Sequence, residues 1–375
     1  MSTAEEVTKI SDRAGTGAVN FSNGFNVNGS DSGISSFTHT EGANEPSSPS
    51  NGDTWWDSDN DIYKVYMNNE WKDWLGTTAS SSWYGARALI IGGNNRSTTI
   101  DYYNIGSPSN ATDFGDVSNS GGSIHGTAVS NGTRTVFTVY NPASYETVVV
   151  ATTGNSSSFG DLVTNEDGKN SVTDASRGVF AGNDNQGSDM EYITIDTASN
   201  ATAFGYTLTV GRGYGGGAGN GTRGLFFGGS IPSNAGRSSN VIDYITVQTP
   251  SNATDFGDLS QGLQIRGATS DATRAIVGGG MTTTNDSYSN EIQYVTMASA
   301  GNATDFGDIT RNADGTCTGD GTYATWAGGV QGTGSPTYYT NVIDRVTIQT
   351  PANATDFGDL SVAGNGHAAT SGAAS

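Results

Sequence analysis

Apolar residues along this chain come in short runs that recur with the same punctuation. The clearest is an arginine followed by an apolar stretch ending in paired glycines: Arg87-Ala-Leu-Ile-Ile-Gly-Gly93, Arg223-Gly-Leu-Phe-Phe-Gly-Gly229 and Arg274-Ala-Ile-Val-Gly-Gly279. Tyr323-Ala-Thr-Trp-Ala-Gly-Gly329 is the same run without its arginine. Ahead of it lies a small polar segment such as Gly267-Ala-Thr-Ser270, then a turn, Asp271-Ala-Thr273. Behind it comes Ile242-Asp-Tyr-Ile-Thr-Val247, echoed at 190–195, 292–297 and 343–348. Apolar side chains fall on both faces of this last run, which predicts a strand sandwiched between two sheets. Each segment has strand length and strand patterning, and none shows helical spacing.

The fourth piece of the unit is the most constant. Asn-Ala-Thr-Asp-Phe-Gly-Asp stands almost unchanged at 110–116, 252–258, 302–308 and 353–359, with weaker copies beginning at Asn155 and Asn200. The unit therefore recurs about every 50 residues, the mark of an architecture whose units bury their faces only against neighbours. Four short antiparallel strands per unit predict a β-propeller, and six copies predict six blades. The ends complement each other: the first unit begins with its second strand at Arg87, and the chain runs out after Gly366-His-Ala-Ala-Thr-Ser371, which matches a first strand. Pairing of the two would close the ring and remove exposed edges. Paired glycines after an apolar strand, then a Tyr-bearing strand, then an aromatic one, resemble the kelch repeat, with Phe114, Phe159, Phe204, Phe256, Phe306 and Phe357 standing where kelch has Trp. The second unit departs from this pattern, since Thr135-Val-Phe-Thr-Val-Tyr140 has no paired glycines.

The expected fold is thus all-β: a six-bladed kelch-like propeller of four-stranded antiparallel blades over residues 81–375, preceded by a small Trp-rich β-meander at 51–80 and an extended segment at 1–50. Five of the six tryptophans fall between Trp55 and Trp83. Trp55-Trp56, Ile62-Tyr-Lys-Val-Tyr66 and Trp71-Lys-Asp-Trp74 predict three strands. Gly52, Asp53, Trp55, Trp56, Asp57, Tyr63, Val65, Tyr66 and Trp71 resemble a module near the N-termini of bacteriophage tail-fibre and other virion proteins. The opening Lys9-Ile-Ser-Asp-Arg-Ala-Gly-Thr-Gly17 is similar to fibre starts in marine phages, and the repeat resembles one widespread in their virion proteins. The resemblance implies a virion protein made in the host cytoplasm, a homo-oligomer docked on other virion proteins by its N-terminal segment, with the propeller projecting towards a host-surface glycan or protein. A spacer or decoration without a ligand and a glycan depolymerase are the alternatives.

Composition narrows the chemistry. A net charge of -21 with 54 glycines describes an acidic, Gly-rich surface that repels phosphate backbones, so nucleic acid is not an expected partner. Cys317 is the only cysteine, which excludes an intrachain disulfide. Residues 1–10 lack the basic and apolar regions of a signal peptide, and no run approaches the roughly 20 apolar residues of a membrane span. No membrane insertion is expected.

Catalytic motifs all have a structural reading. Gly211-Arg-Gly-Tyr-Gly-Gly216 fits G-x-G-x-x-G, but no helix follows to receive a pyrophosphate. Asp57-Ser-Asp-Asn-Asp61 imitates a calcium loop, yet Ile62 replaces the required glycine, so a hairpin turn is expected. His39, His125 and His367 lack metal-ligand spacing. Ser50-Asn-Gly-Asp-Thr-Trp55 only faintly echoes the Asp-box of sialidases. The asparagines of Asn-Ala-Thr are expected to close turns on their own backbone. No catalytic residue, metal or cofactor is predicted.

In a four-stranded blade the connections after the second and fourth strands emerge on one face. These are the connections that vary between copies, at 94–98, 211–217, 230–240, 261–266, 281–290 and 330–341. Recognition concentrates in variable loops on a rigid scaffold, and aromatic faces hold sugars. Arg212, Tyr214, Arg237, Arg266, Tyr288, Tyr338 and Tyr339 are therefore the expected ligand-binding residues.

Overall fold

The small, apolar and polar segments of each unit hydrogen-bond in the order in which they occur, small polar segment innermost and Asp-Phe-Gly-Asp outermost. A computed structural model describes residues 26–27, 30–31, 39–42, 44–57, 62–67, 70–73, 84–93, 98–118, 126–140, 144–164, 166–231, 238–282, 287–331 and 338–373. These contain strands and no helix, hence no helix long and apolar enough to cross a membrane. The chain divides into two units, Met1–Ser80 and Ser81–Ser375.

In the first unit Thr54–Asp57, Ile62–Met67 and Glu70–Asp73 form the expected antiparallel meander. His39–Gly42, inside the segment expected to be extended, adds a fourth strand parallel to Thr54–Asp57. The Trp55 indole N–H fastens it by donating to the Gly42 carbonyl at 2.9 Å. Asp57 pairs with Ile62; the rest of the calcium-loop-like stretch, 58–61, lies outside the described residues.

The second unit is the propeller. Blade one comprises Ala368–Gly372, Arg87–Ile91, Thr99–Asn104 and Thr112–Asp116, so the C-terminal strand completes the blade that begins the ring. Its register runs from Ala368 opposite Ile91 to Gly372 opposite Arg87. Blade two, which lacks the paired glycines, is nonetheless complete: Ala128–Ser130, Arg134–Val139, Ser144–Val149 and Ser157–Asp161. Blade three starts with Asn170–Thr173, blade four with Gly216–Gly219, blade five with Ala268–Ser270 and blade six with Thr316–Gly319.

Hydrophobic burial is divided among six wedges, one at each blade junction. Leu89, Phe114, Phe137 and Val148 fill the junction of blades one and two; Val129, Phe159, Phe180 and Ile193 that of two and three. The last wedge, with Ala88, Ile90 and Tyr103 against Ala327, Ile343 and Phe357, joins blade six to blade one and closes the ring. Second strands are buried on both faces because a blade packs on either side of them. Fourth strands bury little but their phenylalanine, which enters the wedge shared with the next blade. At roughly 1.5–3 kcal/mol for each large apolar side chain taken from water, these wedges are the main adhesive between blades.

Candidate recognition face

What a ligand could meet depends on which polar groups the scaffold has already used. The outer rim uses the most constant stretch of the sequence. The Asn that opens each copy of this stretch accepts through Oδ1 from a backbone N–H of the preceding blade's fourth strand: Asp116 to Asn155, Asp161 to Asn200, Thr207 to Asn252, Asp258 to Asn302, Asp308 to Asn353 and Asp359 to Asn110, all at 2.9–3.2 Å. The residue after each Asn donates its N–H to the carbonyl of that same partner. These asparagines therefore tie blades together and do not close turns on their own backbone. The reason is that an outer strand carries a free edge, and the segment entering the next outer strand lies against it. The glycine of Asp-Phe-Gly-Asp allows the approach: a Cβ on Gly115 would stand 2.5 Å from the Gly154 carbonyl.

The face carrying the first-to-second and third-to-fourth connections is likewise tied up. Asn131, Asp174, Asn220, Asp271 and Asp320 close their turns by accepting from the N–H groups two and three residues on. Gln248 and Gln349 reach back from the following blade to Asp174 and Asp271. Burial raises the Asp271 carboxyl, but the bonds from Gln349, Arg274 and Thr273 together carry it below its ordinary value.

Halfway through each blade a buried side chain on the third strand holds the segment leaving the previous blade. Asp101, Glu146, Glu191, Asp243, Gln293 and Asp344 accept from the N–H groups of Ser361, Ser118, Val163, Thr209, Ser260 and Thr310. Arg212 belongs to this ring. Its Nη1 lies 2.8 Å from Asp243 Oδ2 with both side chains wholly buried, so it neutralises a carboxylate and offers no surface to a ligand. This corrects its expected role, and Arg311 does the same for Asp344 at 2.7 Å. Burial lifts the Asp344 carboxyl above its usual range despite the guanidinium beside it.

Among the described residues the remaining face is lopsided. Connections after the second strands of blades four, five and six fold into small ribbons against the preceding inter-blade connection. Gly213 pairs with Ser230 and Ser230 with Ser238; Gln264 pairs with Met281 and Met281 with Tyr288; Ala313 pairs with Gln331 and Gln331 with Tyr338. Tyr288 and Tyr338 thus hold equivalent places in successive ribbons, and Tyr339 follows. Tyr338 is 61% exposed and Tyr339 39%. Arg237 lies outside the described residues.

Tyr214 and Arg266 meet elsewhere, where the inner strands begin. The Arg266 guanidinium lies 5.0 Å from the centre of the Tyr214 ring, with its Nε 3.5 Å from Asp314 Oδ2. Burial, with Asp167 and Asp184 nearby, pushes the Tyr214 phenol up to about 12, so it stays protonated. Arg266 lines a central cavity of about 80 Å3 whose walls include backbone glycines, small apolar side chains and hydroxyls such as Thr127, Ser171 and Thr318. That volume is far below the roughly 300–1,000 Å3 of a ligand pocket. Cys317 also lines it, and burial raises its thiol. No protein-family model matches the chain, and no curated protein matches its sequence.

Proposed function

We propose that the propeller is a recognition module, and that the protein is a bacteriophage virion protein of the tail-fibre type whose open face binds a host-surface glycan or protein. The observation that carries the reading is the exposure of Tyr338 and Tyr339 on that face, while the rim and the opposite face spend their polar groups on inter-blade bonds. Rigid aromatic side chains lose little entropy on binding and present a flat apolar surface to a sugar ring. Attachment to other virion proteins falls to the N-terminal residues, on the resemblance of the Trp55 to Trp71 module to those of tail fibres.

The test is to incubate purified protein with surface polysaccharide and with whole cells of the host on which the virus grows. Binding without cleavage supports attachment. Cleavage of the polysaccharide would make the protein a depolymerase, and binding to neither would leave a virion spacer. Electron cryo-microscopy of particles tests the assignment to the virion.

A further inference from the structure

The ring is held shut by one non-covalent seam, and a histidine sits in it. His367 directly precedes Ala368–Gly372, the strand that completes blade one. Its imidazole is 7% exposed and lies between the paired glycines of blades one and six: a Cβ on Gly93 would stand 2.7 Å from the ring, and one on Gly328 3.2 Å. Nδ1 lies 2.6 Å from the Gly92 carbonyl, which can only accept, so Nδ1 carries the proton. Nε2 has no hydrogen-bond partner among the described residues, the Gly364 backbone lying beside it without the geometry of a bond. By strand register the same position holds Gly126, Lys169, Gly215, Arg266 and Gly315 in the other blades. Of these only His367 is an imidazole.

We propose that His367 is an acid-sensitive latch: protonation at Nε2 puts a charge into the buried seam and releases the C-terminal strand from Arg87–Ile91, opening the ring.

Two charged groups face the imidazole. Asp101, on the third strand of blade one, is occupied by Ser361, and Asp314, before the first strand of blade six, is paired with Arg266. Both favour the charged ring, as do the Gly92 and Gly364 carbonyls, but burial outweighs them and holds the group below its ordinary value. The unfolded or released strand therefore takes up the proton first. Closure is fully stable above about pH 6.5, the ordinary histidine value, and weakens as pH falls below it. Removal of the imidazolium from water is what makes the charged form costly. The inference rests on the seam alone and does not depend on what the open face binds.

Hydrogen exchange tests it on the whole protein. Between pH 7.5 and 5.0, protection of residues 368–372 should fall at least about tenfold relative to Thr316–Gly319, a loss of roughly 1.4 kcal/mol in closure, and His367→Asn should abolish the difference. The same fall in the variant, no fall in the wild type, or an equal fall in all six innermost strands would each overturn the proposal. Should the variant not fold, NMR titration of the wild-type imidazole decides: a midpoint below 6.5, with the amides of 368–372 broadening in step, supports the latch, and a midpoint at or above 6.5 refutes it.

Discussion

Arg345 and Tyr323 are paired the wrong way round. In four other blades an arginine opening the second strand lies over a tyrosine of the third: Arg87 on Tyr102, Arg177 on Tyr192, Arg223 on Tyr244 and Arg274 on Tyr294, at 4.2–4.8 Å. Each also donates to a carbonyl of the next blade, as Arg274 does to Ile348 at 2.9 Å. In blade six the tyrosine opens the second strand and the arginine sits on the third, 4.4 Å from the ring, and it still reaches the next blade through Ile105 at 3.0 Å. The clasp needs one arginine and one ring, in either order. Arg345→Tyr should cost about 2–4 kcal/mol, a cation–π contact plus a charged hydrogen bond, and Tyr323→Arg about 1 kcal/mol, the cation–π contact alone. The double swap should recover most of that in denaturant titrations; additive losses would show that position, not pairing, matters.

Ala272 has φ of 78° and Ala175 of 75°, in turns where the other blades place Gly132, Gly221 and Gly321 at φ of 83–86°. A side chain in this region is strained, and only glycine adopts it freely. Ala272→Gly should therefore stabilise the protein by up to about 1 kcal/mol, the strain relieved less the added freedom of the unfolded chain. A lower denaturation midpoint would contradict this.

The Arg212–Asp243 pair predicts an asymmetry. Asp243→Asn leaves the guanidinium buried without a counter-charge and should cost about 3–5 kcal/mol. Arg212→Met should cost less, because Asp243 keeps its bonds from the Thr209 N–H and hydroxyl, an arrangement that Asp101 already has with Ser361. Combining Arg212→Met with Asp243→Gln reproduces the neutral Gln293 of blade five and should be milder than Asp243→Asn alone. The order of the three unfolding free energies checks the claim.

The blades and the closing strand were legible because each is a local pattern repeated along the chain. Pairing across junctions was not. Asn110 finds its partner Asp359 249 residues away, and nothing in Asn-Ala-Thr says that its side chain faces a neighbouring blade. Arg212 reads as a loop residue among glycines, but in the fold it is buried against Asp243 and the Phe226 carbonyl of the next blade. A signal for that ring did exist, in the polar residue that recurs inside an apolar strand at 101, 146, 191, 243, 293 and 344. Sequence alone ranks such a residue as an interruption, whereas the fold makes it an anchor.

Tyr338 and Tyr339 project from a ribbon edge, so replacing both by Ala should leave the melting temperature within about 2 °C, as surface changes away from packed groups usually do. Binding to host cells should fall at least about tenfold if these rings carry the contact. Full binding by a variant that also lacks Tyr288 would remove the ribbons from the recognition surface.

Truncation separates the two ends of the chain. Removing residues 366–375 takes away the pairing with Arg87–Ile91, the Ser371 hydroxyl that accepts from the Gly85 N–H and donates to the Gly319 carbonyl, and Ala368 from the wedge between blades one and two. It also exposes the inner edge of blade one and leaves a gap in the ring of inner strands, so burial is lost on both sides of the missing strand. A melting temperature lower by on the order of 10 °C is expected for the propeller. Removing residues 1–50 takes His39–Gly42 from the first unit and no strand from the propeller, whose transition should stay in place. Calorimetry of the two truncated proteins reads both transitions, and equal displacement of the propeller's would mean that the C-terminal strand does not hold the ring.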